Sequence, residues 1–400
     1  MSAAVLLRGG RVIDPSQGID RVMDVAVRGG RIAALGEHLA AEPGAEVWDL
    51  AGKYVCPGLI DLHGHWYEGS AFGIDPLLCL NHGVTTAVDA GTAGFVNFAE
   101  FRRSRIETSP VRVLAFVNIA ALGIPSNLTG ELEDLRHARP AETAAVIQAN
   151  LDVVLGVKVR QGTMVAGHGR EVMQRTLAAA RECRVPVMVH ISRGAETTHI
   201  LRQLRPGDIV THCYQGRGDG LLEGGALLPE ALAARHEGVL FDVGHGCGSF
   251  RWETARKAFE HFFLPDTIST DLHRYSVERW AIDLPTTMTK FLHLGMPLSD
   301  VIRKTTLEPA RAMRRDHGLG TLRPGAPADV CVFDLEEGEF PLEDTHMKTE
   351  TARRRIRPFR VLRAGEVIRP GSLSAPLRPL NGADREVLEF VERSAKEADG

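Results

Sequence analysis

The stretch VCPGLIDLHGH at residues 55–65 decides the fold, and the rest of the chain extends its pattern. Its apolar and β-branched residues predict a buried strand that ends in His63-Gly64-His65. Residues i and i+2 of an extended strand point to the same side, so both imidazoles can reach one ion. We therefore expect a covered strand that carries metal-type side chains at its carboxyl end.

Similar runs follow downstream, separated by amphipathic stretches such as 170–184 and 229–238. Apolar runs that alternate with helices indicate a parallel sheet covered on its faces. The further candidate strands are 83–91, 111–119, 153–160, 185–192, 208–213, 239–246 and 267–273. Eight such units predict an α/β fold, a (β/α)₈ TIM barrel. A doubly wound sheet is the alternative, but no G-x-G-x-x-G fingerprint follows a first strand.

The two ends of the chain have a different, strand-rich pattern. We predict that residues 1–54 and 320–375 together form a small β-sandwich domain, and that 55–319 form the hydrolase barrel. Two Arg-Gly-Gly-Arg segments near the amino terminus predict tight turns. Residues 376–400 are expected to be a helical tail, amphipathic over 383–397. We expect this helix to pack on the core, or on a neighbouring subunit if the protein is a homo-oligomer.

The composition is that of an ordinary globular protein. Of the 400 residues, 44% are hydrophobic and 24% charged, with a net charge of −4, which does not indicate a nucleic-acid binder. The one basic run, 353–360, alternates with apolar residues and is typical of solvated strands. The cysteines form no C-x-x-C pair, and no apolar segment is long enough for a signal peptide or a membrane span. We expect a soluble, cytoplasmic protein with reduced thiols and no membrane partner.

Several candidate strands end in metal-type side chains. Beyond the first strand these are Lys158, His190, His212, His245 and Asp271. A single histidine of this kind is usually a core or surface residue. The carboxyl ends of barrel strands, however, meet on one face, and imidazole with carboxylate suits zinc and similar ions. The combination therefore predicts a metal site.

Lys158 needs a separate explanation, because an ammonium cannot ligate a cation. Burial near positive charge lowers the pKa of a lysine and exposes the neutral amine. A neutral amine can capture carbon dioxide as a carbamate, which would bridge two ions about 3.5–4 Å apart. A carbamylated Lys158 is thus our hypothesis.

These residues resemble the amidohydrolase superfamily, across essentially the whole chain. The resemblance is carried by PGLIDLHGH, by the ordered candidate ligands and by PARAMRRDHGLGTLRPGAPADVCVFD. The segments GHWYEGS, GVKVR and FDVGHG are similar to the binuclear, dihydroorotase-like amidohydrolase/deacetylase group. The resemblance implies two divalent ions, with zinc the implied metal, although spacing leaves manganese, iron and cobalt open. It implies one buried ion on His63, His65 and Asp271, a more exposed ion on His190 and His212, and a bridging Lys158.

The expected reaction is hydrolysis by a hydroxide that bridges the two ions. Asp271 would be the catalytic residue that takes the proton and delivers it to the leaving group. The substrate is expected to be a small molecule with a carboxylate. Candidate substrate-binding residues are Tyr67 for an oxyanion, Arg160 and Arg193 for the carboxylate, and His245 as a hydrogen-bonding partner.

The resemblance implies cleavage of an amide or ester bond of an N-acyl amino acid, an acetylated α-hydroxy acid or a cyclic amide. The alternative is a dihydroorotase or hydantoinase acting on a cyclic ureide. Those enzymes carry an Arg or Thr soon after His-Gly-His, where this chain has Trp66-Tyr67-Glu68. A deaminase is a third choice, since no Glu follows His190 in the way deaminases place their acid. An inactive scaffold homologue is a further alternative, but such proteins lack the ligands that are present here.

Overall fold

The structure is a computed structural model that describes residues 4–124, 131–165, 167–218, 220–369, 371 and 377–397. Its strands are β1 (Val5–Asp14), β2 (Ile19–Arg28), β3 (Arg31–Gly36), β4 (Glu46–Asp49), β5 (Tyr54–Pro57), β6 (Leu59–Gly64), β7 (Val84–Gly94), β8 (Arg112–Asn118), β9 (Val154–Gln161), β10 (Val187–Ile191), β11 (Ile209–Thr211), β12 (Leu222–Glu223), β13 (Ala226–Leu227), β14 (Leu240–Asp242), β15 (Val330–Glu343), β16 (Thr349–Arg363) and β17 (Glu366–Ile368). Its α-helices are α1 (Leu77–Leu80), α2 (Phe98–Phe101), α3 (Pro140–Gln148), α4 (Gly169–Cys183), α5 (Thr197–Leu201), α6 (Pro229–His236), α7 (Trp252–Glu260), α8 (Leu284–His293), α9 (Leu298–Lys304), α10 (Leu307–Ala312) and α11 (Gly382–Glu397).

The central sheet is parallel and confirms the predicted α/β barrel. Its order is β14-β11-β10-β9-β8-β7-β6, so consecutive strands of the barrel lie side by side. The amphipathic stretches at 170–184 and 229–238 form α4 and α6, as expected. Strand residues such as Val157, Val189 and Val210 are buried in the core beneath these helices. Continuous apolar strands and intervening helices therefore produce the layered architecture that the pattern predicted.

The eighth predicted strand, 267–273, is not a regular strand. It makes only isolated parallel bridges, from Thr267 to Asp242 and from Leu272 to Gly64. The backbone N–H of Asp271 donates to the carbonyl of His63 at 2.7 Å, so the segment still closes the barrel between β14 and β6. Asp271 has a φ of 48°, which is incompatible with an extended strand. The left-handed turn explains why the strand prediction was wrong here although the position was right.

The first predicted strand, 55–65, is also divided. Gly58 separates β5 from β6, and β5 pairs with β1 and β15 instead of joining the barrel. A Cβ on Gly58 would lie 2.2 Å from the side-chain oxygen of Thr85, so the chain passes too closely there for any other residue. The continuous apolar run conceals this change of sheet because both halves are buried.

The two chain ends form one second sheet. Its order is β17-β16-β15-β5-β1-β2-β3, with β4 also paired to β1. It has an apolar cluster of its own, which includes Val12, Val25 and Trp48 from the amino-terminal strands and Leu362 from the carboxyl-terminal part. Of the two Arg-Gly-Gly-Arg segments, only the second is a turn, between β2 and β3. The first lies within β1, where the register shifts between Leu7 and Gly10, so the expected turn there is a bulge.

The basic run at 353–360 lies in β16, in a long antiparallel pair with β15. Glu336 of β15, which is half-buried, forms ion pairs with the exposed side chains of Arg355 and Arg357. This is the solvated strand face that the alternating pattern predicted. Over the described ranges, none of the helices combines the length and the apolar character that crossing a membrane requires.

Candidate metal centre and active-site cavity

Six candidate ligands from distant parts of the chain converge at the carboxyl-terminal end of the barrel. His63, His65 and Asp271 are buried, and their potential ligand atoms all lie within 4.8 Å of one another. The Asp271 Oδ1 atom lies 3.3 Å from His63 Nε2 and 3.1 Å from His65 Nε2. His190 Nδ1 and His212 Nε2 lie 2.7 Å apart and form a second pair. The structure thus brings two groups of nitrogen and oxygen donors together at one site.

Lys158 lies at the same place, on β9. Its Nζ is 3.4 Å from His63 Nε2, and its charge also acts on His190 and His212. Gly91 makes room for it, because a Cβ at that position would lie 2.5 Å from the Cβ of Lys158. Burial lowers the pKa of Lys158 to about 8, against the opposing charge of Asp271. A neutral amine is therefore accessible near physiological pH.

The outer nitrogens of the histidines are occupied, which directs the other ring nitrogens inward. His212 Nδ1 donates to the carbonyl of Gly244 at 2.7 Å. His63 Nδ1 lies 2.8 Å from the hydroxyl of Thr211, which itself donates to Asp242 at 2.8 Å. The Thr211 oxygen therefore accepts from His63 Nδ1–H, and His63 Nε2 keeps its lone pair. Such outer partners orient imidazole ligands and fix their tautomers.

Two ligand positions have an unusual backbone. His212 has a φ of 71° and Asp271 a φ of 48°, in the left-handed region that residues with a Cβ rarely adopt. Each such conformation costs about 1–3 kcal/mol and persists only where the surrounding structure enforces it. In both cases the turn lies at the end of a barrel segment and directs the side chain towards the centre. The same conformation occurs at non-glycine residues elsewhere, such as Arg184 and Ala364, so its importance here is that it orients two ligands.

The electrostatics of the site favour the deprotonated form of most donors. The exception is His63: burial and Lys158 act to lower its pKa, but Asp271 and Asp242 outweigh them and raise it. Burial lowers the pKa of His212 to about 3 and takes that of His190 well below its usual value, with the neighbouring imidazole adding to the effect. Burial likewise lowers the pKa of His65. Burial would raise the pKa of Asp271, but His63 and further histidines outweigh it and hold this pKa well below its usual range. Neutral imidazoles and an ionised carboxylate are the forms that bind metal ions.

This donor set fits a divalent-ion centre. Imidazole nitrogens and carboxylate oxygens suit zinc and related first-row ions, whereas calcium and magnesium prefer oxygen donors alone. The inner nitrogens of His63 and His65 face the same carboxylate oxygen, and their outer nitrogens are held by threonine hydroxyls. The residues present could thus hold one ion on His63, His65 and Asp271, and a second on His190 and His212.

A cavity of about 580 Å³ opens directly above these ligands. Lys158, His65, His190 and Asp271 line it, and so do two predicted substrate-binding residues, Arg160 and Arg193. The guanidinium of Arg160 is paired with Glu131 at 3.0 Å. Arg193 is exposed and forms no ion pair with any described residue.

The other two predicted substrate-binding residues lie outside this lining. Tyr67 is buried against Phe101, with its rings 5.1 Å apart, and its hydroxyl hydrogen-bonds to Glu100. His245 lies below the cavity, where its Nε2 is 2.7 Å from Lys290 Nζ. Residues two apart share a face only while the chain stays extended, and the chain turns after His65. The expectation that Tyr67 and His245 contact substrate therefore finds no support in their positions.

Sequence reasoning missed several residues of the site. His273 is fully buried, lines the cavity, and has its ring centre 5.9 Å from that of His65. Three buried aspartates, Asp61, Asp89 and Asp242, hold the ligand-bearing segments from behind. For example, Asp61 accepts hydrogen bonds from the backbone N–H and the hydroxyl of Thr270, next to Asp271. The sequence feature that could have identified these aspartates is a single Asp within an otherwise apolar strand, as in DLHGH, VDAG and FDVG.

Comparison with known proteins identifies the class. Residues 54–368 match the amidohydrolase family, and the chain belongs to this family. A deacetylase of Brucella anthropi is 35% identical over 356 residues, which cover 87% of this chain and 88% of the relative. The solved structure of an adenine deaminase has a TM-score of 0.85 and 29% identity, and the match covers 92% of this chain and 100% of that one. A dihydroorotase structure has a TM-score of 0.83 and 34% identity, with 92% and 99% covered.

Family membership and the site together establish the general activity. The chain is a hydrolase of amide bonds in small molecules, from a family whose members generally bind divalent metals.

Proposed function

We propose that this protein is a binuclear metallohydrolase that removes the acyl group from an N-acyl amino acid or an acetylated α-hydroxy acid. One observation carries the proposal: two groups of donors, His63–His65–Asp271 and His190–His212, meet around Lys158 on the floor of a cavity with arginines in its wall. The similarity to a deacetylase over 87% of the chain supports the same reaction class.

Divalent ions held by these residues would lower the pKa of a water molecule and polarise the scissile carbonyl. The task left to the chain is proton transfer. Asp271 lines the cavity and is ionised at neutral pH, so it can accept the proton of the attacking water. The same carboxyl group can then donate this proton to the leaving amine or alkoxide.

Lys158 is proposed to join the two donor groups as a carbamate. Its neutral amine attacks carbon dioxide, a C–N bond forms as one C=O π bond opens to an oxyanion, and the nitrogen releases one proton to solvent. The carbamate offers two carboxylate-type oxygens in place of one amine nitrogen. Its position is close to the other ligands, since the charge of Lys158 acts on the pKa values of His63, His190 and His212. Mass spectrometry of the intact, metal-loaded protein at neutral pH should show the added mass of one carbon dioxide, lost on acidification and absent in Lys158→Met.

Cationic residues in the cavity favour a substrate with a carboxylate. Arg193 and Arg217 both line the cavity, and neither forms an ion pair with a residue that the structure describes. Arg160 is less available because Glu131 already neutralises it. A guanidinium recognises a carboxylate through two parallel hydrogen bonds. We therefore assign carboxylate binding to Arg193 and Arg217 before Arg160.

The second candidate function is a dihydroorotase or hydantoinase. The observation that favours it is the similarity to the dihydroorotase structure, at 34% identity over 92% of this chain. Ring opening of a cyclic ureide uses the same water activation at the same donors, so the site geometry permits both.

A substrate screen with the zinc-loaded protein separates the two candidates. The panel contains D- and L-enantiomers of N-acetyl amino acids, O-acetylated α-hydroxy acids, dihydroorotate and hydantoins. We expect acetate release from at least one acetylated acid. Ring opening without any acetate release would instead favour the second candidate, and zinc analysis of the same preparation should give about two ions per chain.

A further inference from the structure

The carboxyl-terminal helix forms part of the active-site cavity. Val387, Phe390 and Val391 of α11 line the same cavity as Lys158 and Asp271. Their spacing of three and four residues places them on one face of the helix. Val391 is buried, whereas Phe390 remains 61% exposed although it lines the cavity. An apolar surface of this kind at the cavity is available for a ligand to cover.

The helix is attached to the catalytic loops and not merely to the outside of the barrel. The hydroxyl of Tyr275, four residues after Asp271, donates to the carboxylate of Asp384 at 3.1 Å. Arg279 pairs with Glu392 at 2.7 Å, and Arg217 donates to the backbone carbonyl of Val391 at 3.2 Å. Tyr275 and Arg217 themselves line the cavity. The position of the apolar face is therefore coupled to residues of the active site.

The amino-terminal end of α11 is also well defined. Asn381 Oδ1 accepts a hydrogen bond from the backbone N–H of Asp384, and the Asp384 carboxylate accepts one from the backbone N–H of Asn381, both at 2.9 Å. This reciprocal arrangement is a capping box, which fixes where a helix begins. Asp384 is itself buried, so the cap is part of the packed structure.

The cavity consequently has two chemically different walls. Lys158, Arg193 and His190 contribute polar and cationic groups, while Val387, Phe390 and Val391 of α11 contribute an apolar surface and Phe72 a further apolar side chain. A substrate that satisfies both walls has a carboxylate beside its scissile bond and an apolar side chain. Small polar acids would leave the helix wall in contact with water.

We propose that α11 is the side-chain subsite of this enzyme and that Phe390, with Val387 and Val391, selects substrates with an apolar side chain. This inference rests on the proposed deacylase function for its choice of substrates. It assigns specificity to the tail of the chain, in which no described residue belongs to the His63–His65–Asp271 group.

The test compares N-acetyl-leucine with N-acetyl-alanine, each as both enantiomers, on wild type and Phe390→Ser. The larger aliphatic side chain should lower KM about tenfold in wild type, because it covers part of the helix wall. Phe390→Ser should remove most of this difference by raising KM for N-acetyl-leucine more than KM for N-acetyl-alanine. Phe390→Leu should retain it. Since Phe390 is largely exposed, these substitutions are expected to leave the fold intact.

Phe262→Ser is the matched control, because Phe262 is 90% exposed and does not line the cavity. Calorimetric binding of leucine and alanine, which needs no turnover, is the second measurement. If no acetylated acid is hydrolysed, the deacylase function is wrong, and the binding preference still tests the subsite. A leucine-to-alanine ratio that Phe390→Ser leaves at the wild-type value, or the absence of any preference in both measurements, would overturn the proposal.

Discussion

Two buried lysines of this protein have the same kind of neighbour but different surroundings. Lys158 lies 3.4 Å from His63, and Lys290, on α8, lies 2.7 Å from His245. Burial lowers the pKa of Lys158 to about 8 and that of Lys290 to about 7. Neither of these facts separates a reactive lysine from a structural one.

Hydrogen bonding and access make the difference. Lys290 Nζ also donates to the carbonyls of Trp280 and Glu343, at 2.9 and 2.6 Å, so its three hydrogens have three acceptors. Lys158 makes only the long contact to His63 among the described residues, and it lines the cavity. A lowered pKa therefore indicates chemistry only where the amine is also accessible and incompletely bonded.

The largest expected effect is the loss of activity when the Lys158 amine is removed. Lys158→Met removes the group between the two groups of donors, so kcat/KM should fall by a factor on the order of 10⁴, with loss of bound metal. Lys290→Met is the matched control, since it removes a lysine that is equally buried but lies outside the cavity. Steady-state kinetics and metal analysis of both variants check this. Equal losses in the two variants would contradict the distinction.

The next effect concerns Asp271, whose charge acts on Lys158. Asp271→Asn keeps the side-chain shape but cannot accept the proton, and it should lower kcat about 10³-fold while the protein stays folded. Circular dichroism and kcat are the measurements, with Asp20→Asn as the control, since Asp20 is an exposed carboxylate that pairs with Arg11 and does not line the cavity. An unchanged kcat in Asp271→Asn would refute the assignment of Asp271 as base and acid.

A stability measurement tests the structural role of Lys290. Lys290→Met leaves two carbonyls and His245 Nε2 without their donor, which should lower the free energy of unfolding by about 1–3 kcal/mol. Lys257→Met serves as control, because Lys257 forms an i,i+4 surface pair with Glu253 and should cost less than about 0.5 kcal/mol. Urea denaturation gives both values. A Lys290 variant as stable as the control would show that these hydrogen bonds contribute little.

The smallest effect is a pH dependence of stability in the metal-free protein. Between about pH 7 and the ordinary lysine pKa of 10.5, the unfolded chain still binds the proton that folded Lys290 has released. The free energy of unfolding should therefore rise with pH, by at most about 1.4 kcal/mol per pH unit from this group. Lys158 adds a similar contribution above about pH 8. In Lys290→Met only the Lys158 contribution should remain, and an unchanged slope in urea titrations at pH 7.5 and 9 would contradict this.

Much of the barrel could be predicted because strand and helix periodicities are local properties. Seven of the eight candidate segments contain strands of the parallel sheet, and α4, α6 and α11 lie where the amphipathic patterns placed them. The failures have local causes that tertiary contacts impose. Gly58 ends β5 where Thr85 approaches, and the left-handed φ of Asp271 prevents a regular strand. Neither close approaches nor strained dihedrals are visible in a hydrophobicity pattern.

The active site also has features that the sequence could predict and features that it could not. The candidate ligands were predictable because each lies in one of the eight segments of the barrel, and the carboxyl ends of these segments meet on one face. Side-chain direction after the strand was not, so Tyr67 turns to Glu100 and His245 to Lys290. Nor could sequence alone place α11 against the cavity, since an amphipathic helix fits any apolar surface.

By itself, the sequence determined the fold class, the donor types of the site and the end of the barrel where they lie, because these depend on periodicity and residue chemistry. Only the tertiary structure decided which buried lysine is accessible, which cavity arginines have no carboxylate partner among the described residues, and which surface the carboxyl-terminal helix covers. Those properties depend on distances between residues far apart in the chain, and such distances are set by packing of the whole molecule.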